Sequence, residues 1–280
     1  MKIALFPNLS KNQSLMIAEG IKDFLVGKGV KVYSEDDVAE KIKAEPLSKV
    51  SPQEINYRIT LGGDGTILRM IHRHPEMDAP TLGINHGSLG FMADTPVTEI
   101  YPSLEDLLSG DFDIDERLMM EAEDVSGQKG FAVNEIVFHR SKNPCLVDLS
   151  CHIDGTYINT FSADGIILST PNGSTAYSMA AGGPILTPDL QCLALTPICP
   201  HTISNRPIVL MPKEDIRVQY LSPYEPIEVT LDGFSLFHMN PEDIVTIRPS
   251  KKSFKIINLH RHDFYSTLRS KLGWSGKLKT

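Results

Sequence analysis

Tyr57-Arg-Ile-Thr-Leu-Gly-Gly-Asp-Gly-Thr66 is the stretch on which the reading of this chain turns. Residues 57–61 read as a short strand, three glycines in four positions follow, and Ile67, Leu68, Met70 and Ile71 then recur at helical spacing. Strand, glycine turn and helix are the unit from which parallel α/β sheets are assembled. The glycines let the backbone turn sharply and leave amide N–H groups free to approach an anion, and the helix adds its positive N-terminal end. Such a loop is a phosphate cradle. Asp64 in its middle repels a phosphate, so its charge must serve another purpose, either binding Mg²⁺ or accepting the proton of a nucleophilic hydroxyl. The plain alternative is a tight turn in which the carboxylate accepts local backbone N–H groups. Arg69, one turn into the helix, is either a phosphate contact or a solvated helical arginine.

The same alternation extends on both sides. Residues 2–6, 30–33 and 81–84 read as further buried strands, and Leu15, Ala18, Ile21, Phe24 and Leu25 mark a helix that Gly27 and Gly29 end. A second glycine-rich crossing, Gly83-Ile-Asn-His-Gly-Ser-Leu-Gly-Phe91, follows the fourth strand. Open α/β sheets bind ligands beyond the carboxyl ends of their strands, so the two loops are expected to line one crevice. Neither loop matches G-x-G-x-x-G or the Walker pattern, which disfavours an ordinary dinucleotide dehydrogenase or P-loop enzyme.

Beyond Arg117 the texture changes to short β-prone segments at 131–138, 146–153, 165–168, 206–210, 227–231 and 245–248. Six prolines between 184 and 212 exclude a long helix there and suggest extended chain crossing the surface. Helix returns from 263 to 272, with Phe264, Leu268 and Leu272 four apart. The expected architecture is a Rossmann-like open α/β domain over 1–115, a β-rich domain over 116–250, and a basic C-terminal segment, 251–280, packing back on the first domain.

Composition sets the outer limits. With 280 residues, 41% hydrophobic and 22% charged, the chain can bury a substantial core, and no apolar run approaches a membrane span. The N-terminal apolar run stops at Pro7, too short for a signal-peptide core, so cytoplasmic residence is expected, with no membrane partner. The net charge of −8 disfavours nonspecific nucleic-acid binding. From Lys251 onward, however, eight basic residues face one acid, a solvated tail or a local anion contact. Cys145, Cys151, Cys192 and Cys199 lack common zinc-site spacing and read as reduced, buried small hydrophobes.

Two polar motifs stand in the β-rich half. Asn134 and Glu135 interrupt an apolar run and could exchange hydrogen bonds with a diol such as a ribose, or mark an exposed strand edge. Residues 164–184, running from Asp164 through Asn172-Gly-Ser-Thr-Ala-Tyr177 to Pro184, place hydroxyls beside close-approaching backbone, as planar polar ligands require.

These motifs in this order, Gly-Gly-Asp-Gly-Thr at 62–66, Asn85-x-Gly87-x-Leu-Gly-Phe91, Asn134-Glu135, residues 164–184, Pro200-His-Thr-Ile-Ser-Asn-Arg-Pro207 and Lys271-Leu-Gly-Trp274, make the whole chain resemble the NAD kinase family. The resemblance implies an ATP-dependent phosphotransferase that makes NADP from NAD and uses Mg²⁺ with its donor. On it, Asp64 would activate the adenosine 2′-hydroxyl, with Gly63 and Gly65 close to the phosphates. Asn134 and Glu135 would hold the adenosine and its ribose, and Asp164 would contact the nicotinamide side. Asn172, Thr175, Ala176, Tyr177 and Ala180 would line the dinucleotide site, with Phe91 packing nearby. It also implies a homo-oligomer, dimer or tetramer, in which neighbouring subunits complete that site. Two positions depart from the pattern: Ser162 stands where many members carry Arg, and Asn172 replaces the commoner Thr or Ser. The rival readings are a lipid kinase using the same glycine loop and a catalytically silent NADP-binding sensor.

Overall fold

Lys2–Pro7, the first strand (β1), has four consecutive buried residues, the mark of a strand covered on both faces. The computed structural model describes residues 1–87, 89–202, 204–211 and 215–274. It divides into two units, Met1–Glu116 with the segment from Lys255 onward, and Arg117–Phe254.

In the first unit β1 pairs in parallel with β2 (Lys31–Ser34) and with β4 (Tyr57–Gly62), while β2 pairs with the short β3 (Glu45–Pro46). Strand β4 pairs in turn with β5 (Thr81–Asn85), which carries β6 (Thr95–Pro96) and the end of the final strand, Ile244–Asn258, at Ile256. Helices α1 (Ser14–Gly27), α2 (Asp36–Ile42), α3 (Asp64–Arg73) and α4 (Ile100–Ser109) accompany this sheet. Its core joins Ile3, Leu5, Ile59, Leu61, Leu82 and Ile84 of the strands to Ile21, Leu25 and Leu104 of the helices. The register aligns the carboxyl ends of β1, β4 and β5. The ladder is prolonged there by Asn8 N–H on Leu61 carbonyl, 2.7 Å, and His86 N–H on Gly62 carbonyl, 2.7 Å.

The second unit contains a six-stranded antiparallel sheet and the antiparallel part of a second. In chain order its strands are β7 (Asp113–Glu123), β8 (Lys129–Ala132), β9 (Glu135–His139), β10 (Val147–Ile153), β11 (Thr156–Ala163) and β12 (Gly165–Ser169). The one-turn helix α5 (Tyr177–Ala180) precedes β13 (Leu193–Ile198), β14 (Ile208–Leu210), β15 (Ile216–Tyr220), β16 (Ile227–Leu231), β17 (Phe234–Met239) and β18 (Ile244–Asn258). The first sheet has the order β14-β13-β12-β9-β16-β17, and the second contributes β11-β10-β15-β18 with the β7–β8 hairpin. One apolar cluster, with Phe138, Phe161, Tyr220 and Phe237 as its largest members, joins both sheets.

Four sequence expectations are corrected. The run 131–138 is not one strand: it breaks at Val133–Asn134, and β8 and β9 belong to different sheets. The proline-rich segment 184–212 is not surface chain throughout, because β13 is buried at all six residues. Pro197 is tolerated there because β14 covers only Leu193–Leu195, so beyond Leu195 that side of β13 needs no ladder N–H. The final strand runs far past 245–248, its start pairing antiparallel with β15 and its end parallel with β5. Cys145 and Cys199 are exposed, whereas Cys151 and Cys192 are buried, and all four are free.

Helix α6 (Phe264–Leu272) begins at Asp263, whose carboxylate accepts the Ser266 N–H at 2.9 Å, and ends at Gly273 with φ 65°. Leu268 is buried, and Phe264 meets Phe91 with ring centroids 5.7 Å apart. Several basic residues of this segment have partners in the first unit. Lys255 reaches Asp78 at 2.7 Å, Arg261 bonds Asp106 through Nε at 3.1 Å, and Lys271 lies over the Phe91 ring. Lys277 and Lys279 lie outside the described residues.

Candidate active site

Asp64 is the first residue of α3, directly after the glycine turn. Its carboxylate accepts three backbone N–H groups of the second glycine crossing: Phe91 on Oδ2 at 2.9 Å, and Met92 and Ala93 on Oδ1 at 3.1 and 2.9 Å. The two loops are therefore joined by this one side chain. Gly90 is required by the closeness, since a Cβ there would sit 2.0 Å from Asp64 Oδ1. Asn85 ties the loop from below, donating Nδ2 to Ala93 carbonyl at 3.1 Å. A carboxylate offers about four acceptor directions, so these bonds leave about one for a ligand. Gly63 and Gly65 face open space, as backbone that admits an anion must. Phe91 packs on α6 and Lys271, a docking role in addition to any role beside a ligand.

Beyond the ends of β1 and β2 lies a cleft of about 480 Å³. Its polar lining comes from Asn8 and Ser10 after β1, Glu35 and Asp37 after β2, and Thr66, Arg69 and Arg73 of α3. Arg69 is exposed, and Arg73 pairs with Glu35 at 3.3 Å. Glu35 also bonds His74 Nε2 at 3.1 Å, and this bond holds its carboxyl below the usual value.

In the second unit the polar pair sits where the chain leaves β8 and enters β9. Asn134 Oδ1 accepts Asn172 Nδ2 at 2.6 Å, and Thr170 N–H bonds the Asn134 carbonyl at 2.8 Å. The turn following β12 lies against this segment so closely that a Cβ at Gly173 would fall 2.1 Å from the Asn134 carbonyl oxygen. Asn172 thus keeps the polar contact that a Thr or Ser would offer, with a longer reach. Thr175 caps its own turn, with Oγ1 on the Asn172 carbonyl at 3.3 Å, and Ala176 leads into α5, which carries Tyr177 and Ala180 exposed.

Glu135 is 8% exposed and its Oε2 has no hydrogen-bond partner. Burial pushes its carboxyl up to about 8, the like charge of Asp232 adds to that, and the Tyr177 N–H opposes it. Near neutrality the group can therefore either donate or accept a hydrogen bond. Ser169 lies opposite Glu135 in the β12–β9 register, on the same sheet face, and its buried Oγ is likewise without a partner. Two unpartnered buried oxygens on one face have the chemistry of a place for ligand hydroxyls. Sequence reasoning missed Ser169; its signal was a hydroxyl ending an apolar strand directly before the polar turn.

Asp164 is not brought to this group. It stands just before β12, at the far end of that strand and about 17 Å along it from Ser169, and pairs with Arg140 Nε at 2.6 Å. Among the described residues no three His, Cys, Asp or Glu side chains converge to hold a metal.

A parallel sheet with joined glycine loops, followed by an antiparallel unit bearing a buried Asn-Glu pair, defines a nucleotide-binding phosphotransferase outside the P-loop class. The chain belongs to the NAD kinase family: the model of the ATP-NAD kinase N-terminal domain matches residues 3–112 and that of the C-terminal domain residues 133–259. It is 57% identical over 277 residues to an NAD kinase of Protochlamydia amoebophila, covering 99% of both chains. With an NAD kinase of Geotalea daltonii it shares 36% over 282 residues, 98% of each. Among solved structures, yeast NADH kinase complexed with NADH aligns with TM-score 0.88 at 25% identity, over 100% of this chain and 89% of that one. An NAD kinase from Archaeoglobus fulgidus in complex with ATP aligns with TM-score 0.76 over 96% of this chain and 99% of that one; at 22% identity it speaks for the fold.

Proposed function

We infer that this chain is an ATP-dependent kinase that transfers the terminal phosphoryl group of ATP to the 2′-hydroxyl of the adenosine ribose of NAD, making NADP. The observation that carries this reading is the buried, unpartnered Glu135 oxygen beside Asn134, in a chain that matches the family's models in both halves. A lipid kinase with the same glycine loop calls for an apolar cleft, whereas the first-unit cleft is lined by Asn8, Ser10, Glu35, Asp37, Thr66, Arg69 and Arg73.

Phosphoryl transfer needs positioning and charge stabilisation more than covalent help from the protein. Asp64, with one acceptor direction remaining, would take the hydroxyl proton, while the same carboxylate holds the two loops rigid around Gly63 and Gly65. Asn134 and Glu135 would fix the adenosine and its ribose, and Asn172, Thr175, Ala176, Tyr177 and Ala180 the surface beside it. Arg69 and Arg73 would line the donor's phosphates in the first-unit cleft. The divalent cation, Mg²⁺, would enter with the donor phosphates and neutralise their charge. Asp164 would meet the nicotinamide side, and Phe91 would flank the dinucleotide. We propose a homo-oligomer, dimer or tetramer, acting in the cytoplasm.

The test is turnover of NAD with Mg-ATP, read by an NADP-specific dehydrogenase. A panel of ATP, other nucleoside triphosphates and polyphosphate fixes the donor, and NADH in place of NAD fixes the acceptor. Binding of NADP without turnover would favour the sensor reading, and no dinucleotide binding would refute both.

A further inference from the structure

The turn between β16 and β17 consists of Asp232 and Gly233, with φ 51° and 81°. Both values are positive, the signature of a two-residue hairpin turn, for which Asp-Gly and Asn-Gly serve equally well. The turn alone therefore gives no reason for a carboxylate. Yet Asp232 is buried, and its carboxylate accepts three successive N–H groups from another segment. Val133 donates to Oδ2 at 2.8 Å, and Asn134 and Glu135 donate to Oδ1 at 2.7 and 3.1 Å. In return the Asp232 N–H bonds the Glu135 carbonyl at 3.0 Å.

We propose that Asp232 is the positioning residue of the Asn134–Glu135 pair, clamping the backbone beneath it so that both side chains meet the dinucleotide. This inference rests on the NAD-binding reading above. The clamp acts where it is needed, because residues 133–134 lie between β8 and β9, in the step from one sheet to the other. An asparagine would present one acceptor oxygen and an NH₂ group, leaving at least one buried N–H facing another donor. The clamp has a second effect. Asp232 is the charged group whose field adds to burial in raising the Glu135 carboxyl; Tyr177 contributes a backbone N–H, and β12 presents the uncharged Ser169 in register.

The experiment compares the full-length protein with Asp232→Asn and with Gly233→Ala, which strains the same turn without touching the clamp. Asp232→Asn is expected to raise the KM and Kd for NAD by about 5- to 30-fold, as one or two lost buried hydrogen bonds do, with the KM for ATP within about twofold. The pH midpoint of NAD binding should fall by about one pH unit as the like charge is removed. Gly233→Ala should lower the Tm and leave NAD affinity and midpoint in place. A folded Asp232→Asn protein with wild-type NAD affinity and midpoint overturns the proposal, and so does a Gly233→Ala protein that reproduces both changes. If Asp232→Asn does not fold, Asp232→Ser takes the same assays. Titration of the Glu135 carboxyl by ¹³C NMR in wild type and variant needs no dinucleotide. Amide hydrogen exchange of Val133, Asn134 and Glu135 needs none either: faster exchange at these N–H groups in Asp232→Asn, in a protein that does not bind NAD, supports the clamp and refutes the functional reading, whereas unchanged exchange refutes the clamp itself.

Discussion

Replacing Glu135 by Gln should make the ligand-free protein more stable in alkali while weakening its hold on NAD. The carboxyl is pushed from its ordinary 4.5 up to about 8, chiefly by burial. At about 1.4 kcal/mol per pKa unit, that displacement corresponds to about 5 kcal/mol. The sign follows from where the proton sits. Below pH of about 4.5 the group is protonated in both folded and unfolded chains. Between there and about 8 the unfolded chain releases the proton and the folded chain keeps it, so stability drains away as pH rises through the folded value. Glutamine cannot ionise and escapes this loss. Its NH₂ lands where Oε2 has no partner, a cost of about 1–3 kcal/mol at every pH. The net expectation is a gain of about 2–4 kcal/mol at pH of about 9 and a deficit of about 1–3 kcal/mol at pH of about 5. In melting temperature the alkaline gain is a rise of roughly 5–15 °C. Calorimetric scans of both proteins across this range, without ligand, test it. Parallel curves of Tm against pH, with no crossing, would refute the reasoning, because they would mean that Glu135 is as free to ionise folded as unfolded.

Three further outcomes are expected. Asp64→Asn should lower turnover by at least about 100-fold, the usual worth of a general base, with NAD affinity kept within severalfold in calorimetry. It should also lower the Tm, since the Phe91 N–H on Oδ2 would face an NH₂ group; near-normal turnover in the folded variant would return Asp64 to a purely structural role. Arg69→Ala should raise the KM for ATP and leave that for NAD nearly unchanged, and the reverse pattern in initial-rate kinetics would move Arg69 out of the donor cleft. Truncation after Leu259 removes α6 and uncovers Phe91 and the surface that Leu268 buries; a loss of about 2–4 kcal/mol in urea unfolding is expected, and an unchanged midpoint would mean that the helix contributes no stability.

The parts of this molecule that short-range chemistry specifies were legible in the chain. Short strand-like runs ended by proline, polar or glycine residues placed β1, β2, β4 and β5 to within a residue or two, and the Gly-Gly-Asp-Gly turn announced α3. The polar pair at 134–135 stood out because two polar residues interrupt an apolar run. What the sequence alone could not carry was every feature made by residues far apart. That the polar pair marks a step between two sheets could not be read from residues 131–138, because the carboxylate that holds the step belongs to Asp232, 99 residues from Val133. The donors on Asp64 come from 27 to 29 residues away. The unpartnered oxygens of Glu135 and Ser169 became a pair only when strand register set them opposite each other. Propensity and turn chemistry act over a few residues and so determine which elements form. Burial and hydrogen-bond partners depend on which elements meet, and that meeting decided which polar side chains hold the fold and which are left with an unpartnered oxygen.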